Sequence, residues 1–165
     1  MNALQQGRFR DATGHFATGV CVITSFSENG PVGMTANSFS SLSLDPLLVV
    51  VCIDRGARTL AAVERTHRVG INILAADQSA LAEVFASKAE DVAKFDGVGW
   101  SEQAGTPMLD GVVAWLGGSL RELHPGGDHL IGVVEIEDLK TPGGNPLLYY
   151  RGGYAGLAAA DLSSN

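Results

Sequence analysis

Seven apolar residues stand in a row from Leu47 to Ile53, LLVVVCI, and most of them are β-branched. Asp45-Pro46 precedes the run and Asp54-Arg55-Gly56 follows it, both strong turn signals. A short, branched run bounded in this way reads as a strand buried on both faces. It is far too short to cross a membrane. A chain built around such a strand must cover both of its sides with further sheet or helix.

The other apolar runs are also short and rich in β-branched residues. Val20 to Phe26 is a strand, Glu28-Asn29-Gly30 a hairpin turn, and Pro31 to Ala36 the returning strand. Arg68 to Leu74 is another. Val112 to Leu123 is a long one, interrupted at Gly117-Gly118. In Leu130 to Leu139, Val134 and Ile136 alternate with Glu135 and Glu137, which leaves one face wet. Leu147 to Arg151 is the last.

Helical spacing occurs in three places. Phe9 to Thr18 carries Phe9, Ala12, Thr13 and Phe16 on one face, with Gly19 as its C-cap. Ala57 to Arg65 pairs Leu60 with Val63. Asp77 caps a helix through Phe85 whose inward stripe is Leu81, Val84 and Phe85. Ala86 to Gly105 is weakly patterned and reads as loop around Phe95 and Trp100. Six or seven strands joined by hairpin-type connections favour a closed or nearly closed antiparallel barrel. A βαβ fold needs regular strand–helix alternation and a Gly-rich first turn, and neither is present.

At 165 residues the chain is the size of one domain. Its net charge of −7, with 11 Lys and Arg in all, argues against nucleic acid as a partner. No apolar h-region follows the N-terminus, so no secretory signal is visible and no membrane association is expected. Cys21 and Cys52 lie inside apolar runs. They read as buried thiols of a reducing cytoplasm, with a disulfide as the alternative.

The chemistry concentrates around Gly33 to Pro46, GMTANSFSSLSLDP. Small hydroxyl and amide side chains alternate there with Met34, Phe39, Leu42 and Leu44. The mixture suits a ligand-site wall that packs on one side and offers hydrogen bonds on the other. It suits a Ser/Asn-rich connecting turn equally well. His124, Asp128 and His129 match no familiar metal-ligand spacing, and Asp128 and His129 would point to opposite faces of a strand. His129 follows Pro125-Gly126-Gly127-Asp128 and opens a strand, the place for a rim imidazole facing an anionic or nicotinamide ligand, or for an ordinary strand-end histidine. Arg55, Arg58 and Thr59 flank a helix N-terminus, where an anion binds readily, though a solvated arginine pair looks the same. Ser87-Lys88 is a further candidate phosphate contact.

Taken in order, FRDATGHFATGVCVIT, GMTANSFSSLSLDPLLVVVCI, GINIL, GDH and PLLYYRGGY resemble the short-chain flavin reductases. These are the reductase partners of two-component flavin-dependent monooxygenases. The resemblance runs from Phe9 to Tyr154 and implies a single flavin reductase-like domain, mainly β with a few short helices, folded as a split β-barrel. It implies a homodimer with a flavin at its surface, reduction of FMN or FAD by NADH or NADPH, and delivery of reduced flavin to a separate oxygenase. Carried over, Thr35, Ala36, Asn37 and Ser38 would meet the isoalloxazine ring or ribityl chain. Ser40, Ser41, Cys52, Ile53, Asp54, Arg55, Arg58 and Thr59 would line the chain and its phosphate, and Phe85, Ala86, Ser87 and Lys88 would complete the phosphate side. His129 would approach the nicotinamide as the catalytic residue, and Tyr154 would lie near the ring. The competing expectations are a flavin-binding or electron-carrier protein without turnover, or another FMN-dependent oxidoreductase on the same barrel.

Overall fold

A computed structural model of the chain describes residues 3–158. Its helices are α1 (Ala3–Gly14), α2 (Arg58–Thr66), α3 (Ser79–Ala86) and α4 (Asp91–Phe95). The strands, in chain order, are β1 (Thr18–Gly19), β2 (Cys21–Ser27), β3 (Gly30–Ala36), β4 (Phe39–Leu44), β5 (Leu47–Asp54) and β6 (Arg68–Ile73). They continue with β7 (Trp100–Gln103), β8 (Thr106–Leu109), β9 (Ala114–Gly126), β10 (His129–Lys140), β11 (Leu148–Tyr150) and β12 (Gly153–Ala155).

Seven strands form one antiparallel sheet in the order β3-β2-β6-β9-β10-β5-β4. Its two edges, β3 and β4, are consecutive in the chain, and only Asn37 and Ser38 separate them. Three Cα steps span at most about 11 Å. The sheet must therefore curl until its edges nearly meet, yet no ladder joins them. Covalent chain rather than hydrogen bonds bridges the seam, and this is the split of a split β-barrel. The barrel is as expected, but the stretch from Gly33 to Pro46, expected as a ligand-site wall or a connecting turn, divides at the seam. Its second half is a strand, β4, paired with β5 from Phe39↔Val51 to Leu44↔Leu47. The Asp45–Pro46 bond between these strands is cis.

Burial follows from period-2 alternation on strands covered on both sides. In β2, Cys21 and Ile23 enter a cluster with Val51, Ile53, Ile71, Val134 and the α2 residues Leu60 and Val63. Val22 faces the other way, into a cluster with Leu74, Phe85, Phe95, Leu109 and Trp115. Asn72 joins the layers: its side chain is fully buried, and its amide nitrogen donates to Val22 O, Thr24 Oγ1 and Pro107 O. Its Oδ1 accepts from the Leu109 backbone N–H at 2.8 Å.

Several expectations are corrected. The first helix runs from Ala3 to Gly14, not from Phe9 to Thr18, and Gly19 is a strand residue paired with Leu148. Its supposed inward stripe faces out, with Phe16 at 78% exposure and Phe9 also exposed. Asp77 does not cap α3; Gln78 occupies that position, and no side chain caps the helix. The weakly patterned stretch from Ala86 to Gly105 holds α4 and β7, which pairs with β8 just beyond it. Gly117-Gly118 does not interrupt β9, which runs through them with a register shift opposite Ile136 and Asp138.

Candidate functional site

Two grooves open on either side of the seam. The smaller, about 430 Å³, lies between β3, the end of β5, and the ends of α2 and α3, with α4 beneath it. Thr35 is tied to its wall, its hydroxyl donating to Ala82 O at 2.7 Å. Asp54 closes the turn into α2 by accepting from the Gly56 backbone N–H at 2.6 Å. Ser87 donates to Val84 O and finishes α3. Arg58 donates from Nε to Asp91 at 2.6 Å and from Nη2 to Ala89 O, with Glu90 at 3.8 Å. That pairing with Asp91 holds its guanidinium above the ordinary arginine pKa. Lys88 and the Thr59 hydroxyl have no partner among the described residues.

The larger groove, about 970 Å³, is walled by α1, the seam residues Asn37 and Ser38, the start of β4, and Val50 and Cys52 of β5. Tyr149 and Arg151 close its far side. Phe9, Phe39 and Val50 make it apolar. The Thr18 hydroxyl on its wall is buried without a partner. The grooves adjoin twice, at Thr35 beside Asn37 and at Cys52 beside Asp54.

The strand alternation that builds these walls also turns the side chains of some expected residues away from the grooves. Ala36 and Ile53 point into the core. Ser41 sits exposed on β4 opposite Val49 and lines neither groove. Arg55 serves the hairpin between β9 and β10 instead of lining a groove: its Nε donates to Gly127 O at 2.9 Å and its backbone N–H to Asp128 O at 3.1 Å. That hairpin carries His129, which is half-exposed and stands opposite Asp54 in register. Asp128 and His129 do not diverge as strand neighbours would, because the turn lets Nδ1 approach Asp128 Oδ1 to 2.8 Å. The contact holds the Asp128 carboxyl below the usual carboxylate range. Tyr154 stacks edge-on against Tyr149, and burial raises its pKa. Cys52 is half-buried on the groove wall, not a core thiol, whereas burial pushes Cys21 up to about 12.

Residues 13–158 match the flavin reductase-like domain family. This chain belongs to that family. It is 39% identical over 157 residues to the reductase subunit of a flavin-dependent monooxygenase of Rhodococcus jostii, covering 94% of this chain and 80% of the relative. Among solved structures it superposes on a homologue of nitrilotriacetate monooxygenase component B from Mycobacterium thermoresistibile with a TM-score of 0.92 and 36% identity, covering 99% and 92% of the two chains. It also matches the NADH:FAD oxidoreductase of Streptomyces globisporus, solved with NAD and FAD fragments, with a TM-score of 0.89, 32% identity and 98% coverage of each chain. The chain is accordingly a flavin reductase with the split-barrel fold, working with a flavin and a nicotinamide.

The grooves fit those groups. A flavin reductase needs apolar area for a ring system, polar partners for its carbonyls, and donors for a phosphate. The larger groove offers Phe9, Phe39 and Val50 with the unpartnered Thr18 hydroxyl, and the smaller offers Lys88 and Thr59. Residue-type reasoning missed the α1 wall and Lys94. The α1 wall escaped because its apolar residues look like a core stripe. Lys94 escaped because a lone lysine in a weakly patterned stretch reads as solvated.

Proposed function

We propose that this flavin reductase uses NADH or NADPH to reduce FMN or FAD and passes the reduced flavin to a separate oxygenase. The observation that carries the reading is the adjoining pair of grooves, one apolar and one rich in donors. When bound, the nicotinamide supplies a hydride and the flavin accepts it at N5. The chain's own contribution is orientation and exclusion of water, which needs no acid–base pair within the protein. Asn37, Ser38 and Cys52 would hold the ring end, and Thr59, Ser87 and Lys88 the phosphate end. His129, on a tip pinned by Arg55, would orient the nicotinamide.

Replacing His129 with alanine is expected to raise KM for the nicotinamide about tenfold, the size of one lost hydrogen bond to a polar ligand. Flavin affinity should stay within twofold in steady-state kinetics paired with flavin titration. An unchanged KM would remove His129 from the site. Flavin is also expected to slow alkylation of Cys52, read by peptide mass spectrometry, while Cys21 stays inert with or without it. Alkylation of Cys52 at the same rate under saturating flavin would move the ring end elsewhere.

The reading includes a homodimer. The elements around the larger groove expose Phe9 and Phe16 on one side and Leu42 and Leu44 on the other, Leu44 at 87%. Apolar area of this kind is covered in most stable proteins. A second copy of the chain would cover it, and light scattering at working concentration tests that. Unpaired thiols at Cys21 and Cys52 support a cytoplasmic setting. No helix among the described residues is long and apolar enough to cross a membrane.

A further inference from the structure

Lys94 is buried to 6% exposure on α4, at the base of the smaller groove. Its ammonium donates to two backbone carbonyls, Phe85 O at 3.2 Å and Gly33 O at 3.4 Å. Among the described residues no carboxylate is in hydrogen-bond contact with it, although Asp91 and Glu90 act on it through space: Asp91, on the same helix, has its carboxylate engaged by Arg58, and Asp54 is engaged by the Gly56 amide. Burial accordingly lowers the Lys94 pKa. A buried ammonium that touches only carbonyl oxygens keeps much of its desolvation cost, and an anion arriving in the groove would offset it. An ammonium has three donors, and two are used here.

The surroundings favour such an anion. The groove's lining gathers Arg58, Lys88 and Lys94 with Asp54 and Asp91, and Glu90 stands 3.8 Å from Arg58 beside it, so three basic groups concentrate here in a chain of net charge −7. Both acids are already engaged, while Lys88 and the Thr59 hydroxyl have no partner among the described residues. Lys94 also spans the two walls, since Gly33 belongs to β3 and Phe85 to the last turn of α3. The walls meet tightly at that point: a Cβ on Gly33 would lie 2.8 Å from the Phe85 ring.

We propose that Lys94 is a specificity-determining residue that reads the flavin's phosphate from beneath, using its remaining N–H. This rests on the smaller groove being the phosphate end. Lys94 thereby separates phosphorylated flavins from riboflavin, and it couples the filled phosphate site to the spacing of β3 and α3.

The test compares FMN and riboflavin binding, by quenching of flavin fluorescence, in the wild type and in Lys94→Gln and Lys94→Met. Glutamine keeps donors for the Gly33 and Phe85 carbonyls, so it preserves the wall contact that methionine loses. FMN affinity is expected to fall about 10- to 100-fold, the range for one hydrogen bond to a charged group, with riboflavin unchanged within twofold. In the wild type, the Lys94 13Cε resonance is expected to move on adding FMN and to stay in place on adding riboflavin. Equal losses for both flavins would reduce Lys94 to a wall brace, and no loss for either, or a stationary resonance, would remove it from the site. A wild type that binds FMN no better than riboflavin would instead overturn the assignment of the groove as the phosphate end.

Discussion

Asn72→Leu is expected to cost about 1–3 kcal/mol, read as a drop in the urea midpoint with an unchanged slope. Leucine is nearly isosteric, so no large cavity forms, and the loss isolates the polar contacts. The Leu109 backbone N–H would lose its acceptor, and the carbonyls of Val22 and Pro107 would lose the amide donor, all within the buried layer between β2, β6 and β8. Each orphaned buried group costs about 1–3 kcal/mol. The Thr24 hydroxyl keeps its bond to Pro107 O at 2.6 Å, which bounds the effect. A loss below about 1 kcal/mol would mean that water or side-chain rearrangement satisfies these groups.

Gly118→Ala is expected to destabilise the fold by about 3 kcal/mol, at the upper end for overpacking, and to lower Tm by roughly 6–12 °C. A Cβ there would lie 2.8 Å from the Glu135 carbonyl carbon and 3.0 Å from Ile136 Cα, and closer still to the Glu135 oxygen. These are backbone atoms of β10, so no side-chain rotation relieves the clash. The register shift between Ile136 and Asp138 is the local irregularity that lets the strands approach so closely. Because β9 and β10 end at the tip bearing His129, the variant is also expected to raise KM for the nicotinamide at temperatures where it remains folded. At Gly117 the hypothetical Cβ would lie 2.5 Å from the ring of Trp115, a fully buried side chain, so alanine is expected to be costly there as well.

The main strands were legible because branching and alternation write them directly: Val20 to Phe26, Leu47 to Ile53 and Leu130 to Leu139 each appear within a residue or two of their bounds, although the Leu47 strand buries only the face of Val49, Val51 and Ile53 and turns Val50 and Cys52 to a groove. The seam was legible as a special stretch but not as a strand, because β4 lies on an edge with mixed exposure and lacks the alternation of a half-buried strand. α1 was misread for a related reason. Its apolar residues have helical spacing but do not pack on this chain's core, so periodicity alone assigned them inward. At the site, the run from Asn37 to Ser40 and the block from Phe85 to Lys88 mark the grooves by composition. The fate of Arg55 was not legible, because its partner Gly127 lies 72 residues away and nothing local announces the pairing. Lys94 was hidden for the same reason, its acceptors being carbonyls brought to it by tertiary packing.

The central claim is flavin reduction at the expense of a nicotinamide, and the most direct measurement follows loss of reduced-nicotinamide absorbance by the purified protein. NADH and NADPH are each supplied with no flavin, with riboflavin, with FMN and with FAD. The account predicts oxidation that depends on added or bound flavin, ranks the flavins, and selects one nicotinamide. A folded protein that binds flavin yet oxidises neither nicotinamide would contradict it and leave a flavin-binding protein without turnover.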